Sequence, residues 1–376
     1  MRIPEKSSDF KVSKELLKDI LKLNRADNHT GFFIILFNYL LVAICIFLTL
    51  KISWWFYPLS LIVIGSVHRT FANLLHDGSH GILAVDKTLN RIYGAYLTGY
   101  PIFHMVMPYK QSHLLGHHRH LGDPKKDPDF LFQRQCGMYD PEEKHWQFFA
   151  RNIVLAMLGY RSIAYIRYIF RDRIFFDASS LSEDKRRSVI RERISFLATW
   201  VVILTGLLLF GVMKEFFFFW IVPMFTTTIA IGWLAELAEH YPLPDAENTQ
   251  LMMTRNRHGW WIENFLFGRH GDRFHLIHHL SPSIPCYHLK AAHRILLKDD
   301  CYLAWDSLWG GIFTRVGPDK ETLISYVRKY KDWQRKGALT PDGQSFGFQI
   351  LRSYLRLIGK NAAPQVIGKA DHLKIN

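Results

Sequence analysis

Cysteine is scarce in this chain: Cys45, Cys136, Cys286 and Cys301 are the only four in 376 residues, and none stand at a CxxC or other paired spacing. That excludes an iron–sulfur or zinc-ribbon site built within the chain and fits a reducing compartment, with the thiols as packing residues. Equally missing are a CxxCH run, a His-Pro-Gly-Gly haem run and a GxGxxG turn after a strand, so the sequence carries no redox cofactor site of those kinds. No fixed-period repeat and no low-complexity tract occurs, which excludes solenoid and linker-rich architectures. Acidic residues are in deficit, 33 Asp and Glu against 47 Lys and Arg, for a formal net charge of +14. The N-terminal MRIPEKSSDFKVSKELLKDI is charged and amphipathic, without the early apolar core or small-residue cleavage site of a secretory signal.

Charge is also missing locally. Residues 31–50 carry none and are long enough to cross a bilayer core. A second apolar block starts at Trp54, runs through Val67 and continues in helical pattern to His80, and residues 194–212 and 216–235 form a third and fourth. The spacing predicts four transmembrane helices in two tight hairpins. Lys51 and Lys214 are the only basic residues expected on the far side, so the positive-inside rule puts both termini and the histidine-bearing face in the cytoplasm, of a bacterial inner membrane or an endoplasmic reticulum. Anionic lipid headgroups then account for the basic charge, and nucleic acid is not needed as a partner. Residues 150–170 are apolar but interrupted by Arg151, Arg161 and Arg167, and are expected along the membrane interface; a fifth span would bury Arg161 near mid-membrane. The expected division is a cytosolic N-terminal segment (1–30), a membrane domain (31–300), and a C-terminal cap and tail (301–376) whose last residues are expected to be disordered. The aromatic run from Phe216 to Trp220 reads as lipid-facing or packing surface.

What the chain does have is histidine in a pattern. HDGSH holds His76 and His80, HLLGHHRH holds His113, His117 and His118, HLIHH holds His275, His278 and His279, and His240 stands alone after the fourth span. Residues four apart on an α-helix share a face, so each box can aim imidazoles at one ion. Imidazole suits iron, zinc and copper, and nine ligands exceed the about six that one ion takes, so two metals are the expected count. Glu236, one turn before His240, is placed to accept a hydrogen bond from that ring, with Asp77 and Asp272 orienting the first and third boxes similarly. A lone HxxxH is commonplace; three boxes with adjacent-His doublets on one membrane face are not. His120 is a possible substitute for His113 or His118. His68, His104, His258, His270, His288 and His293 read as structural.

The three boxes, their order among the spans, DPKKDPDF after the second box and HLIHHLSPSIPCYHLKAAHRIL around the third resemble the membrane fatty acid desaturase superfamily. One departure is Ile277, where many relatives have Glu inside the third box. The resemblance implies an all-helical integral membrane protein, four spans under a helical cytosolic cap, with two irons held by the nine histidines and O2 as co-substrate. It implies an oxidoreductase introducing a double bond into a fatty acyl chain, as lipid or thioester. The alternative within the superfamily is a hydroxylase or ketolase acting on a carotenoid, an alkane or a small polar substrate such as an amino acid. Electrons are expected from a separate donor, a ferredoxin or a b-type cytochrome with its reductase, steered by the basic face. A metal transporter is disfavoured because the first and third blocks lack ionisable groups. A zinc hydrolase would leave most of the histidines idle.

Overall fold

The computed structural model describes residues 9–246, 249–336 and 345–361, which form helices and loops; the one β contact among them is an isolated bridge between Trp309 and Glu321. The first eight residues of the N-terminal segment and the tail from 362 onward, expected to be disordered at its end, lie outside the described residues. Among the described residues, four helices are long and apolar enough to cross a membrane: Thr30–Ile52, Trp54–His80, Glu183–Leu209 and Met213–Asp245. This is the all-helical, four-span architecture expected, with the helices running past the apolar blocks at their polar ends.

Local chemistry sets where each span starts and stops. Asp27 accepts the backbone N–H of His29 (2.7 Å) and Thr30 (2.6 Å) and the Thr30 hydroxyl (2.6 Å), satisfying donors that the first turn leaves free. Ser53, extended at φ −166°, breaks the chain between the first two spans, and Pro58 sits in the first turn of the second, where its missing N–H costs nothing. Gly211, at φ +67°, turns the third span into the fourth. In the fourth span helical geometry fails at Thr226 (φ −127°, ψ −91°), three residues after Pro223, and resumes at Thr227.

Close approach of small residues holds the bundle where the histidines emerge, as expected where lipid removes the hydrophobic drive between helices. A Cβ added to Gly78 would stand 2.8 Å from the Gly94 Cα, and one added to Gly65 would stand 2.3 Å from Thr227 Oγ1. The third span is held differently. Only 17% of its apolar window is buried, and Trp200, stacked on Phe103 at 4.5 Å, ties it to the rest while Val201 and Val202 face outward.

Residues His145–Met157 and Ser162–Ile174 form two arms bent by 71°, with Gly159 at φ +91° in the break. Leu158 and Ile163 face outward at the tip, while Arg161 folds inward against Asn152 and the Trp233 ring (4.4 Å). The bend turns the arginine into the protein, and the two arms together are apolar enough to count as a broken span or a re-entrant loop. On the other side, Phe10, Ile20, Phe130, Tyr241, Leu276, Trp305 and Tyr330 belong to one continuous core, and Phe10 meets Phe348 edge-on at 5.8 Å. All four cysteines are free.

The glycine contacts generate a paired test. Gly78→Ala should lower the thermal midpoint in detergent, by the ~1–3 kcal/mol typical of overpacking, and reduce metal uptake. Gly206→Ala, where an added Cβ meets nothing within 4 Å, should be neutral or raise the midpoint slightly.

Candidate metal centre

Four stretches of chain deliver the nine histidines. His76 and His80 close the second span; His113, His117 and His118 lie on Lys110–His118; His240 follows the helix Thr227–Glu239; and His275, His278 and His279 lie on the short helix His275–Leu280. Lys110–His118 is wound as a π-helix, with a wider turn than an α-helix. That winding brings His113 and His118, five apart, within 4.8 Å between ring centres.

The rings assemble into two adjoining groups. In the first, the ligand nitrogens of His76, His80, His118 and His278 all lie within 4.8 Å of one another. His80 Nε2 stands 3.2 Å from His76 Nε2, His278 Nε2 stands 3.0 Å from His118 Nε2, and the His113 ring lies 4.9 Å from that of His76. In the second, His240 Nε2 stands 3.3 Å from His117 Nε2 and 2.8 Å from His275 Nε2, which is 3.1 Å from His279 Nε2. His118 and His279 stack at 4.2 Å where the groups meet. Nitrogens bound to one ion at about 2.1 Å and at right angles sit about 3 Å apart, so the spacing suits shared cations. Burial, reinforced by neighbouring imidazoles, holds His113, His118, His275, His278 and His279 below the ordinary histidine value. They are therefore neutral at physiological pH, the form that binds metal.

Carboxylates around the rings differ in part from those expected. Asp127 and Asp129 were not singled out as site residues, yet His117 Nδ1–H donates to Asp127 at 3.0 Å, with Asp129 at 3.5 Å. Asp127 caps the helix Pro128–Gln135 and accepts the Gly122, Asp129 and Phe130 backbone N–H groups, so its position is set before any metal arrives. Their signal was an Asp-Pro-Asp ten residues after His117, a helix start as well as a motif. Asp77 lies 3.4 Å from His76 Nδ1 and accepts the Cys286 N–H at 3.1 Å, tying the first box to the third.

Glu236 does not take the expected place beside His240. It accepts from Gln133 at 3.4 Å, while His240 Nδ1 faces the Met253 carbonyl without a well-aligned bond. The reason is that the helix ends at Glu239, and His240 leaves helical geometry at φ −122°. Asp272 likewise reaches no histidine: it pairs with Arg257 (2.6 Å) and Arg69 (3.6 Å), which also hold Glu239. Glu239 is the carboxylate nearer the third box, 3.8 Å from His275 Nδ1.

The remaining histidines among the described residues lie outside both groups, His120 included. His68 contacts Thr228, His104 the Ile102 carbonyl, His270 Asn38, and His288 the Tyr287 ring. His258 and His293 flank Asp306, whose Oδ1 also accepts from Asn256. A cavity of about 500 Å3 reaches His76, His113, His117, His240, His275 and His278, and Arg69, Arg161, Arg173, Asp129 and Glu236 also line it.

A boxed set of imidazoles gathered at the ends of long apolar helices matches a family. The fatty acid desaturase profile covers residues 52–310, and the chain belongs to that family of membrane enzymes. It is similar to dihydrorhizobitoxine desaturase of Bradyrhizobium elkanii, with 35% identity over 318 residues that span 84% of this chain and 89% of the relative.

Without metal, burial lowers the His117 value, but the Asp127 hydrogen bond and the Asp129 charge outweigh it and push it up to about 9. Metal uptake there must then release a proton, so apparent affinity should rise about tenfold per pH unit until pH 9. Asp127→Asn should flatten that slope. At pH 9, where proton competition has gone, it should weaken binding about 10–100-fold through loss of ring orientation. Metal titration across pH, followed by proton release, checks both.

Proposed function

We propose that this chain is an O2-dependent, di-iron membrane desaturase that removes two hydrogens from a small ionised substrate of the amino-acid class. Charged side chains set in a mostly apolar cavity wall carry the substrate assignment. Arg161 and Arg173 line it without a carboxylate at ion-pair distance among the described residues, and an alkyl chain filling that space would not supply one. The relative described above is named for dihydrorhizobitoxine and not for a fatty acyl chain. A fatty acyl substrate is the second reading, favoured by the family's description and by the apolar wall residues Ile102, Leu131 and Phe132.

One iron would be held by His76, His80, His113, His118 and His278 and the other by His117, His240, His275 and His279; together they would supply the dioxygen activation needed to break an unactivated C–H bond. The protein's own work is positional. Asp127 keeps the His117 proton on Nδ1 and leaves Nε2 free, as orienting carboxylates do for ligating histidines. Burial of the rings keeps bulk water from the reacting carbon, and the cavity wall fixes which carbons face the centre. Whether two hydrogens leave or one oxygen is inserted depends on that placement, so hydroxylation is the neighbouring outcome. The gathering of all nine imidazoles supports an oxidase over a zinc hydrolase, which needs three ligands.

Electrons come from a separate carrier, a ferredoxin or a b-type cytochrome with its reductase, drawn to the basic cytoplasmic face. That face also holds both termini, with Lys51 and Lys214 outside. Cysteine placed at either lysine should react with an impermeant maleimide on intact cells, and cysteine at Lys144 only after permeabilisation; the reverse pattern would invert the topology.

Expression in a host lacking the activity, with amino acids, dihydrorhizobitoxine and acyl lipids profiled by mass, tests the reaction. The expected product is two mass units lighter and derives from a small amino acid, and His278→Ala should abolish it while inserting normally. A gain of sixteen units would favour the hydroxylase, and loss of two from an acyl chain the second reading.

A further inference from the structure

We propose that Arg173 is the carboxylate-binding group of the cavity, seating the acid end of the substrate one aromatic ring away from the histidines. The assignment rests on the desaturase reading above. Arg173 is only 4% exposed, yet its hydrogen-bond partners are neutral: Nη1 donates to Ser112 Oγ at 2.6 Å and Nη2 to the Tyr168 hydroxyl, while Nε is buried with no partner. Among the described residues it forms no ion pair. Asp129 on the same wall feels the Arg173 charge but does not reach ion-pair distance; a buried guanidinium without a direct carboxylate partner is destabilising, and the cost is relieved when a ligand brings one. Arg173 also lines the cavity, so such a ligand has access.

The surroundings suit a planar anion. The Tyr109 and Tyr168 rings flank the guanidinium at 4.7 Å and 4.8 Å, orienting a fork of donors that matches a carboxylate. Tyr109 in turn lies 5.1 Å from the His113 ring. A carboxylate seated on Arg173 therefore sets the carbons behind it along the path to the first histidine group, and the substrate's reach from its acid end selects the carbon pair that reacts. An amino acid and a free short-chain acid share this chemistry, and a thioester lacks it.

The test measures binding of three probes to the iron-loaded enzyme in detergent by calorimetry: hexanoate, L-norleucine and L-norleucine methyl ester. Hexanoate and norleucine should bind the parent at least tenfold more tightly than the ester. Arg173→Gln should erase that preference, Arg173→Lys should keep part of it, and iron content and melting temperature should hold in both. Carboxylate probes binding no better than the ester, or an unchanged preference in Arg173→Gln, would overturn the assignment. Loss of iron in Arg173→Gln would overturn it too, by making Arg173 a prop for Ser112 and the second box. Equal binding of hexanoate and norleucine, both through Arg173, supports the carboxylate site and counts against the amino-acid class alone. Amino-acid desaturation that survives Arg173→Gln with unchanged KM sinks the site and leaves that class standing.

Discussion

Everything in this protein is arranged around an electrostatic problem: nine largely buried imidazoles turn ring nitrogens toward two points. Nitrogens about 3 Å apart, such as His240 Nε2 between those of His117 and His275, share too few protons to satisfy one another well. Metal bound by these clusters would resolve this, and the clusters are able to hold it. Family membership and the distances point the same way.

A surrounding layer of charge makes that arrangement rigid. Asp127 is held by three backbone donors before it orients His117, and Asp77 joins the second span to the segment after the third box. Arg69 and Arg257 bind Glu239 and Asp272 in a buried quartet spanning two spans and the cap. Buried ion pairs add little net stability against apolar packing, but breaking one is costly, so the quartet serves better as a register device than as glue. The contact between Gly78 and Gly94 serves the same end by letting backbones touch close to His76 and His80.

Much of the site was legible in the chain. The spacing of the boxes identified the nine histidines that the fold gathers, and the uncharged blocks located the four long helices, because membrane insertion leaves few ways to satisfy a backbone. The misplaced features share a cause. Glu236 and Asp272 were assigned from α-helical phase, and the phase is lost where the helix ends before His240 and where positive φ at His270 bends the chain ahead of Asp272. The partners of the rings, Asp127 and Glu239, sit beside them through turns and caps that spacing rules do not describe. The π winding of Lys110–His118 is a further case, since its i, i+5 register is invisible to a rule built on i, i+4.

The sequence by itself determined the class of protein: apolar length, charge asymmetry and histidine spacing are local quantities that survive without a fold. Only the tertiary structure decided which histidines lie together, which carboxylates stand beside them, and that Arg173 on the cavity wall has no carboxylate at ion-pair distance among the described residues. Those depend on contacts between residues a hundred or more apart, such as His117 with His240 and His118 with His278, and such contacts exist only once the helices have packed.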